Sequence, residues 1–245
     1  MPEDRFDERI AAAYDDLWAQ QHSHSVVDPM VDCLAALAGE GSALELAIGG
    51  GRIALPLSAR GVRVSGIEIS AAMVEQLRAK PGGDAIDVVL GDIATARVDG
   101  SFDLVYLVAN TIMNLTTQDE QVSCFANAAA HLAPGGHFVI ECVVPDLRHL
   151  PPGQTVRPFE MTESHVGFEE FTDLTHAQIA WSHHWWIAEG QGQAFSAPFR
   201  YVWPAELDLM ARLAGLTLRE RWSGWDRGPF TSDSPSHVSV WAKPV

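Results

Sequence analysis

The sequence predicts a doubly wound α/β domain with an antiparallel β insertion ahead of its last helix. Three observations carry this. Short apolar strands alternate with helices from residue 43 to residue 144. The first strand runs into three glycines and out into a helix. The alternation breaks after Pro145 and resumes only at Pro204. Strands buried on both faces and separated by helices make a parallel sheet, and right-handed crossovers wind the helices over both sides of it.

Each element follows from local pattern. Residues 6–37 read as one or two helices, with Asp28-Pro29 as a cap-and-proline start signal before Met30, Val31, Leu34 and Leu37. Residues 43–48 form the first strand, and 52–60 a helix that must hold Pro56 in its first turns. Strand 62–69 follows, then helix 70–79 with Ser70 as N-cap. Strands 87–90 and 102–108 precede helix 118–132, which Pro134-Gly135-Gly136 stops, and 137–144 is the fifth strand. Between 146 and 203 lie strand-like pieces, 178–187 and 194–203, with no helix between them, read as a sheet covering the open edge. Helix 204–213 starts on Pro204 and ends at Gly215, and strands 216–222 and 237–242 complete the chain. The expected organisation is one domain over 1–245. It has a helical cap at 1–40, a ligand-binding core at 41–145 and 204–245, and the β insertion at 146–203.

Composition narrows the function. The chain has 245 residues, is 47% hydrophobic and carries a net charge of −16. Its lysines are Lys80 and Lys243. A nucleic-acid polyanion needs a basic footprint, and an anionic membrane does too, so neither is an expected partner. No apolar run is long enough to span a membrane. The charged first ten residues lack the apolar core of a signal peptide, which points to a cytoplasmic protein. Cys33, Cys124 and Cys142 stand far apart with no zinc-like spacing, so no metal is expected and they read as buried small hydrophobes.

The chemistry gathers at strand ends. Glycines at 49–51 let the backbone turn sharply and a ligand approach the main chain. Gly49-x-Gly51-x-x-Ala54 alone also satisfies a dinucleotide fingerprint. Glu68 ends the second strand, where a carboxylate can accept both hydroxyls of a ribose. Gly91-Asp92-Ile93 ends the third, where Asp92 can receive an adenine amino group and Ile69, Met73 and Ile93 can sandwich the ring. Open α/β sheets bind ligands at such strand C-termini.

With these residues the chain resembles the class I S-adenosylmethionine-dependent methyltransferases, in their bacterial small-molecule branch. Residues 45–52 resemble the family's first motif. Glu68 resembles its ribose-binding acid, 91–93 its adenine turn, and 102–108 its fourth strand. Residues 132–139 resemble the approach to its fifth strand, and the closing strands its antiparallel pair. Gly50, often Thr or Ser in the family, and Ile48, often Cys or Gly, depart from the pattern. The resemblance implies a Rossmann-like seven-stranded sheet with an antiparallel last strand and S-adenosylmethionine as cofactor. It also implies cofactor contacts from Tyr14, Glu45, Ala47, Gly49, Gly51, Arg52, Glu68, Ile69, Met73, Asp92, Ile93, Val108 and Ala109. Tyr14 can equally be an aromatic staple on the core, and Arg52 a solvated first-turn arginine.

Methyl transfer from a sulfonium asks mainly for positioning and exclusion of water. The turn after the fourth strand is not the Pro-Pro-aromatic type of amide- and base-modifying enzymes, and it lacks the carboxylates of metal-dependent ones. Both absences favour a small-molecule acceptor, methylated on N or O. Asn110 and Asn114 are candidate contacts there, or caps of the loop backbone. In Trp181-Ser-His-His-Trp-Trp186, alternation puts Trp181, His183 and Trp185 on one face and Ser182, His184 and Trp186 on the other. One face can line an acceptor pocket with a histidine as base; Trp185 is the candidate contact from the first face and His184 the candidate base from the second, and alternation leaves open which of them turns inward. Such a face can otherwise be a packed layer or a homodimer contact. Trp18, Arg200 and Arg227 complete the acceptor candidates, and His184 and Asn114 the catalytic ones. Two alternatives stand beside this reading: a nicotinamide-dependent oxidoreductase, which lacks a Tyr-x-x-x-Lys pair here, and a non-catalytic S-adenosylmethionine-binding protein.

Overall fold

The computed structural model describes residues 8–188 and 190–245. The chain opens with helices α1 (Glu8–Leu17) and α2 (His24–Ala38), joined by a 3-10 turn, Ala19–His22. Expectations that fall on residues 1–7 lie outside the described residues. Helix α2 has Ser23 at its N-cap, five residues ahead of the Asp28-Pro29 signal, and holds Pro29 in its interior. Proline there removes one i→i−4 bond. Burial of Val27, Met30, Val31 and Leu34 offsets it.

The core then alternates as its pattern requires. It runs β1 (Ser42–Leu46), α3 (Ala54–Ala59), β2 (Arg63–Glu68), α4 (Ala71–Ala79), β3 (Asp87–Leu90), β4 (Phe102–Leu107), α5 (Gln118–His131) and β5 (Leu132–Val143). Local signals fix the helix starts. Ser70 accepts from the Met73 N–H at 3.4 Å. Thr117 and Glu120 form a reciprocal capping box. Where α5 gives way directly to β5, the Lys243 ammonium donates to the carbonyls of Ala129 and Leu132 at 2.9 and 2.7 Å. Unsatisfied carbonyls at a helix end are thereby paired.

The insertion consists of β6 (Val156–Met161), β7 (His165–Asp173), β8 (Ile179–Ala188) and β9 (Gln191–Arg200), followed by α6 (Pro204–Leu213), β10 (Thr217–Trp222) and β11 (Ser236–Ala242). The main sheet has seven strands in the order β10-β11-β5-β4-β1-β2-β3, and the insertion is a four-stranded sheet, β6-β7-β8-β9. Strands β1 to β5 pair in parallel, whereas β11 runs antiparallel to both β5 and β10. This is the expected doubly wound fold with its antiparallel last strand. The order reverses between β1 and β4, which opens a crevice at their carboxyl ends.

The insertion lies over those carboxyl ends, while the edges of the main sheet are β3 and β10. Its last strand is riveted to the core by Arg200, which is 3% exposed. Arg200 donates to Gln121 at 2.6 Å, Gln178 at 3.0 Å and Glu206 at 2.6 Å. A buried guanidinium is tolerable only when paired and hydrogen-bonded in this way.

Candidate active site

A cleft of about 370 Å³ opens where the sheet order reverses, between the carboxyl ends of the parallel strands, helix α1 and the inner face of the insertion. Its floor is built on strained backbone. Ala47 after β1 and Ala109 after β4 hold φ of 57° and 55°, and both line the cleft. A non-glycine residue in this region costs on the order of 1 kcal/mol or more and persists only when its surroundings over-determine it. At Ala109 they do: its N–H donates to Glu141 at 2.9 Å, and Glu141 also accepts from the Trp225 indole at 2.9 Å. Asn110, likewise left-handed, accepts from the Val143 N–H at 2.7 Å, so its side chain braces the loop even as the residue lines the cleft.

The glycine turn is fitted on both sides. Gly49 and Gly51 have φ of 53° and 77°. A Cβ on Gly51 would lie 2.3 Å from Leu77 Cδ1, so this glycine lets α4 pack against the turn. Glu68 is 4% exposed and its carboxylate is fixed by backbone N–H groups, from Gly49 at 2.7 Å and from Ile69 and Ser70 at 3.0 Å. Asp92 accepts from the Ala94 N–H at 2.9 Å. Ile69, Met73 and Ile93 line the gap beside these carboxylates.

Helix α1 straps the cleft. Asp15 meets Lys80 at 2.7 Å, and Lys80 donates to the Gly50 carbonyl at 2.9 Å. On the other side Arg9 donates to the Ala194 carbonyl of β9 at 3.1 Å. Tyr14 and Trp18, with ring centroids 4.5 Å apart, are thereby held over the opening. Burial pushes the Tyr14 hydroxyl pKa up, and the nearby Arg52 pulls it back.

From the insertion come Glu169, Ser182, His184, Phe195 and Phe199. The ring of His184 lies 5.6 Å from Trp18, edge-on. Burial, with His165 and then His183 adding to it, pushes His184 down to about 4, so its imidazole is neutral at pH 7. Glu169 pairs with Arg157 at 2.7 Å, and Arg157 also meets Asp146 at 3.1 Å.

The structure therefore brings together Tyr14, Trp18, Ala47, Gly49, Glu68, Ile69, Met73, Asp92, Ile93, Ala109, Asn110, Asn114 and His184. Other expected contacts stand off the cleft lining. Glu45 lies beneath the glycine turn, accepting from the Tyr106 hydroxyl at 2.9 Å, and burial pushes its carboxyl up to about 8. Gly51 and Val108 pack into the core, and Arg52 donates to the Gln21 carbonyl at 3.1 Å. Trp185 stacks on Phe168 at 5.0 Å on the outer face, opposite His184. Arg200 is spent in the buried network described above. Arg227 stacks on Trp222 at 4.6 Å and reaches Cys33. Sequence reasoning missed Gln21, Met113, Glu169, Phe195 and Phe199. The alternation of β7 was the available signal for Glu169, which sits opposite Ser182 in the ladder.

The donor half suits an adenosine bearing a positive group. Two carboxylates stand at neighbouring strand ends beside an apolar gap. Glu68, Asp92 and Glu169 line the cleft, and no Lys or Arg does among the described residues. A sulfonium is stabilised in that field. No group of side chains fit to hold a metal occurs among the described residues. No helix among them is long and apolar enough to cross a membrane.

Comparison with known proteins agrees. Residues 43–136 match a family model described as a methyltransferase domain. The CcbJ methyltransferase from Streptomyces caelestis is 36% identical, with 98% of each chain covered and a TM-score of 0.84. Two more distant structures share the fold. A S-adenosylmethionine-dependent methyltransferase from Clostridium acetobutylicum has 14% identity, 97% and 98% coverage and a TM-score of 0.78. CalS10 from Micromonospora echinaspora, an amino pentose methyltransferase involved in calicheamicin biosynthesis and solved with S-adenosylmethionine bound, has 20% identity, 94% and 96% coverage and a TM-score of 0.71. No curated protein matches the sequence.

Proposed function

Because the chain belongs to the S-adenosylmethionine-dependent methyltransferases, we propose that it methylates an amine nitrogen of a small natural product. The observation that carries this is the charge of the cleft: Glu68, Asp92 and Glu169 line it and no cation does among the described residues. Carboxylate, phosphate or carrier-bound acceptors would be repelled there, and a protonated amine is drawn in. CalS10 is described as an amino pentose methyltransferase, which supports the same acceptor class.

In this reading Glu68 holds the ribose and Asp92 the adenine amino group, with Ile69, Met73 and Ile93 flanking the ring. The backbone at Ala47, Gly49 and Ala109 leaves room for the methionine portion. Bound S-adenosylmethionine supplies a methyl carbon made electrophilic by its sulfonium. Tyr14 and Trp18 close the opening and exclude water. Glu169 draws the amine, and Asn114 and Phe199 border it. Rate then comes from alignment and dryness. The outer face of the insertion is the reading's place for a second copy of the chain, since Trp181 and Trp185 are 36% and 41% exposed there.

Product analysis tests the acceptor class. The protein is given methyl-labelled S-adenosylmethionine with amino sugars, cyclic secondary amines and phenols in competition. An N-methylated amine is the expected product, and methylation of phenols alone would contradict the reading.

A further inference from the structure

A chain of hydrogen bonds leads out of the cleft through the insertion. Ser182 lines the cleft, and its hydroxyl lies 2.9 Å from His184 Nε2. His184 Nδ1 lies 3.0 Å from His165 Nε2, with the two rings 12° from coplanar. His165 is half-buried and follows the exposed turn at 162–164. All three side chains share the inner face of the sheet with Glu169, whose cross-strand partner is Ser182. We propose that Ser182, His184 and His165 form a relay that carries the acceptor's proton from the cleft to solvent. The proposal rests on the amine reading above, because an amine drawn in by Glu169 arrives protonated and must shed that proton before its lone pair can attack.

The transfer balances. The ammonium N–H bond breaks, its electron pair stays on nitrogen as the attacking lone pair, and its proton goes to Ser182 Oγ. The Ser182 hydroxyl proton moves to His184 Nε2. The His184 Nδ1 proton moves to His165 Nε2, and His165 sheds its Nδ1 proton to water. Nothing is oxidised or reduced, and rotation of the hydroxyl with return of the imidazole tautomers resets the path.

The surroundings favour passage over storage. Trp18 just after α1, Phe159 from β6 and Phe195 from β9 pack around His184 and bear no charge. The titratable groups nearby are His165 and Glu169 on β7 and His183 on β8. Glu169 shares Arg157 with Asp146, so that group keeps a net negative charge. His183 faces outward, hydrogen-bonded to Ser196 at 2.8 Å and Glu170 at 3.2 Å, and is off the path. The low pKa of His184 keeps it from trapping the proton it receives.

The test is the pH profile of methyl transfer to the amine that the product analysis returns, for wild type, Ser182→Ala, Ser182→Thr and His165→Phe. Phenylalanine keeps the ring at 165 and removes its nitrogens, and calorimetry with S-adenosylhomocysteine confirms that each variant folds. The relay predicts that S182A and H165F lose about a hundredfold in kcat below the amine's pKa, the lower range for positioned proton transfer. It predicts that both recover above that pKa with KM little changed, and that S182T stays near wild type. An amine-methylating wild type whose S182A and H165F variants keep its profile overturns the relay alone. A wild type that methylates only oxygen overturns the amine reading and the relay with it.

Discussion

Two glutamates show how placement decides the chemistry of one residue type. Glu68 is held by three backbone N–H groups and faces the cleft. Glu45, two residues before Ala47, is buried under a tyrosine hydroxyl and pushed up to about 8. Glu45 is thus a neutral brace between β1 and β4, and Glu68 is the binding carboxylate of the proposed function. Glu68→Ala is expected to weaken S-adenosylhomocysteine binding by about 1–3 kcal/mol, the scale of hydrogen bonds to a charged group, measured by isothermal titration calorimetry. Unchanged affinity would remove Glu68 from the site. Position along a strand made Glu68 and Asp92 legible in the sequence. It could not tell Glu45 from a ligand contact, because a carboxylate beside a glycine turn reads the same whether it points up to the cofactor or down into the core. Arg200 and Arg227 failed to be legible for the same reason: an arginine's reach lets it serve a pocket or a buried pair equally well.

At the scale of elements, the core strands and helices follow closely from period and caps. Strand β3 and helix α6 span the expected residues, and Ser70 and Thr117 cap as their neighbours require. The insertion was less legible. Its later strands were visible, but β6 and β7 were not separately drawn, since their faces mix polar and apolar groups. Which face of β8 turns inward depends on where the sheet docks, and no local pattern encodes that. Docking puts Ser182 and His184 inside and leaves Trp181 and Trp185 outside beside Phe168. Exposed aromatics grouped on one sheet face mark an association surface. Sedimentation velocity is expected to show a dimer for the wild type and a monomer for Trp185→Glu, with S-adenosylhomocysteine affinity retained. A monomeric wild type would leave that face without the second copy assigned to it.

At the scale of the whole molecule, two buried histidines contribute to acid sensitivity. His237 is fully buried in β11, hydrogen-bonded to Ser239 at 2.8 Å, and burial followed by the nearby Arg221 pushes it down to about 4. His184 is pushed to a similar value. A histidine depressed from 6.5 takes up its proton in the unfolded chain first. Its contribution is therefore intact above pH 6.5 and is lost as pH falls toward 4. The loss is on the order of 3 kcal/mol for a shift of this size. Thermal melts from pH 7 to 4 are expected to show the midpoint falling steeply for the wild type and less steeply for His237→Gln. Parallel curves would place the acid sensitivity elsewhere.

The same globular plan sets donor and acceptor on opposite walls of one cleft: strand ends below, insertion above, α1 across the opening. On the proposed function, this acid-lined space takes an amine. The most direct measurement is mass spectrometry of the products formed when the protein is supplied with methyl-labelled S-adenosylmethionine and competing amines and phenols. Label on an amine nitrogen is the expected result, and label found only on oxygen would rule out an amine acceptor.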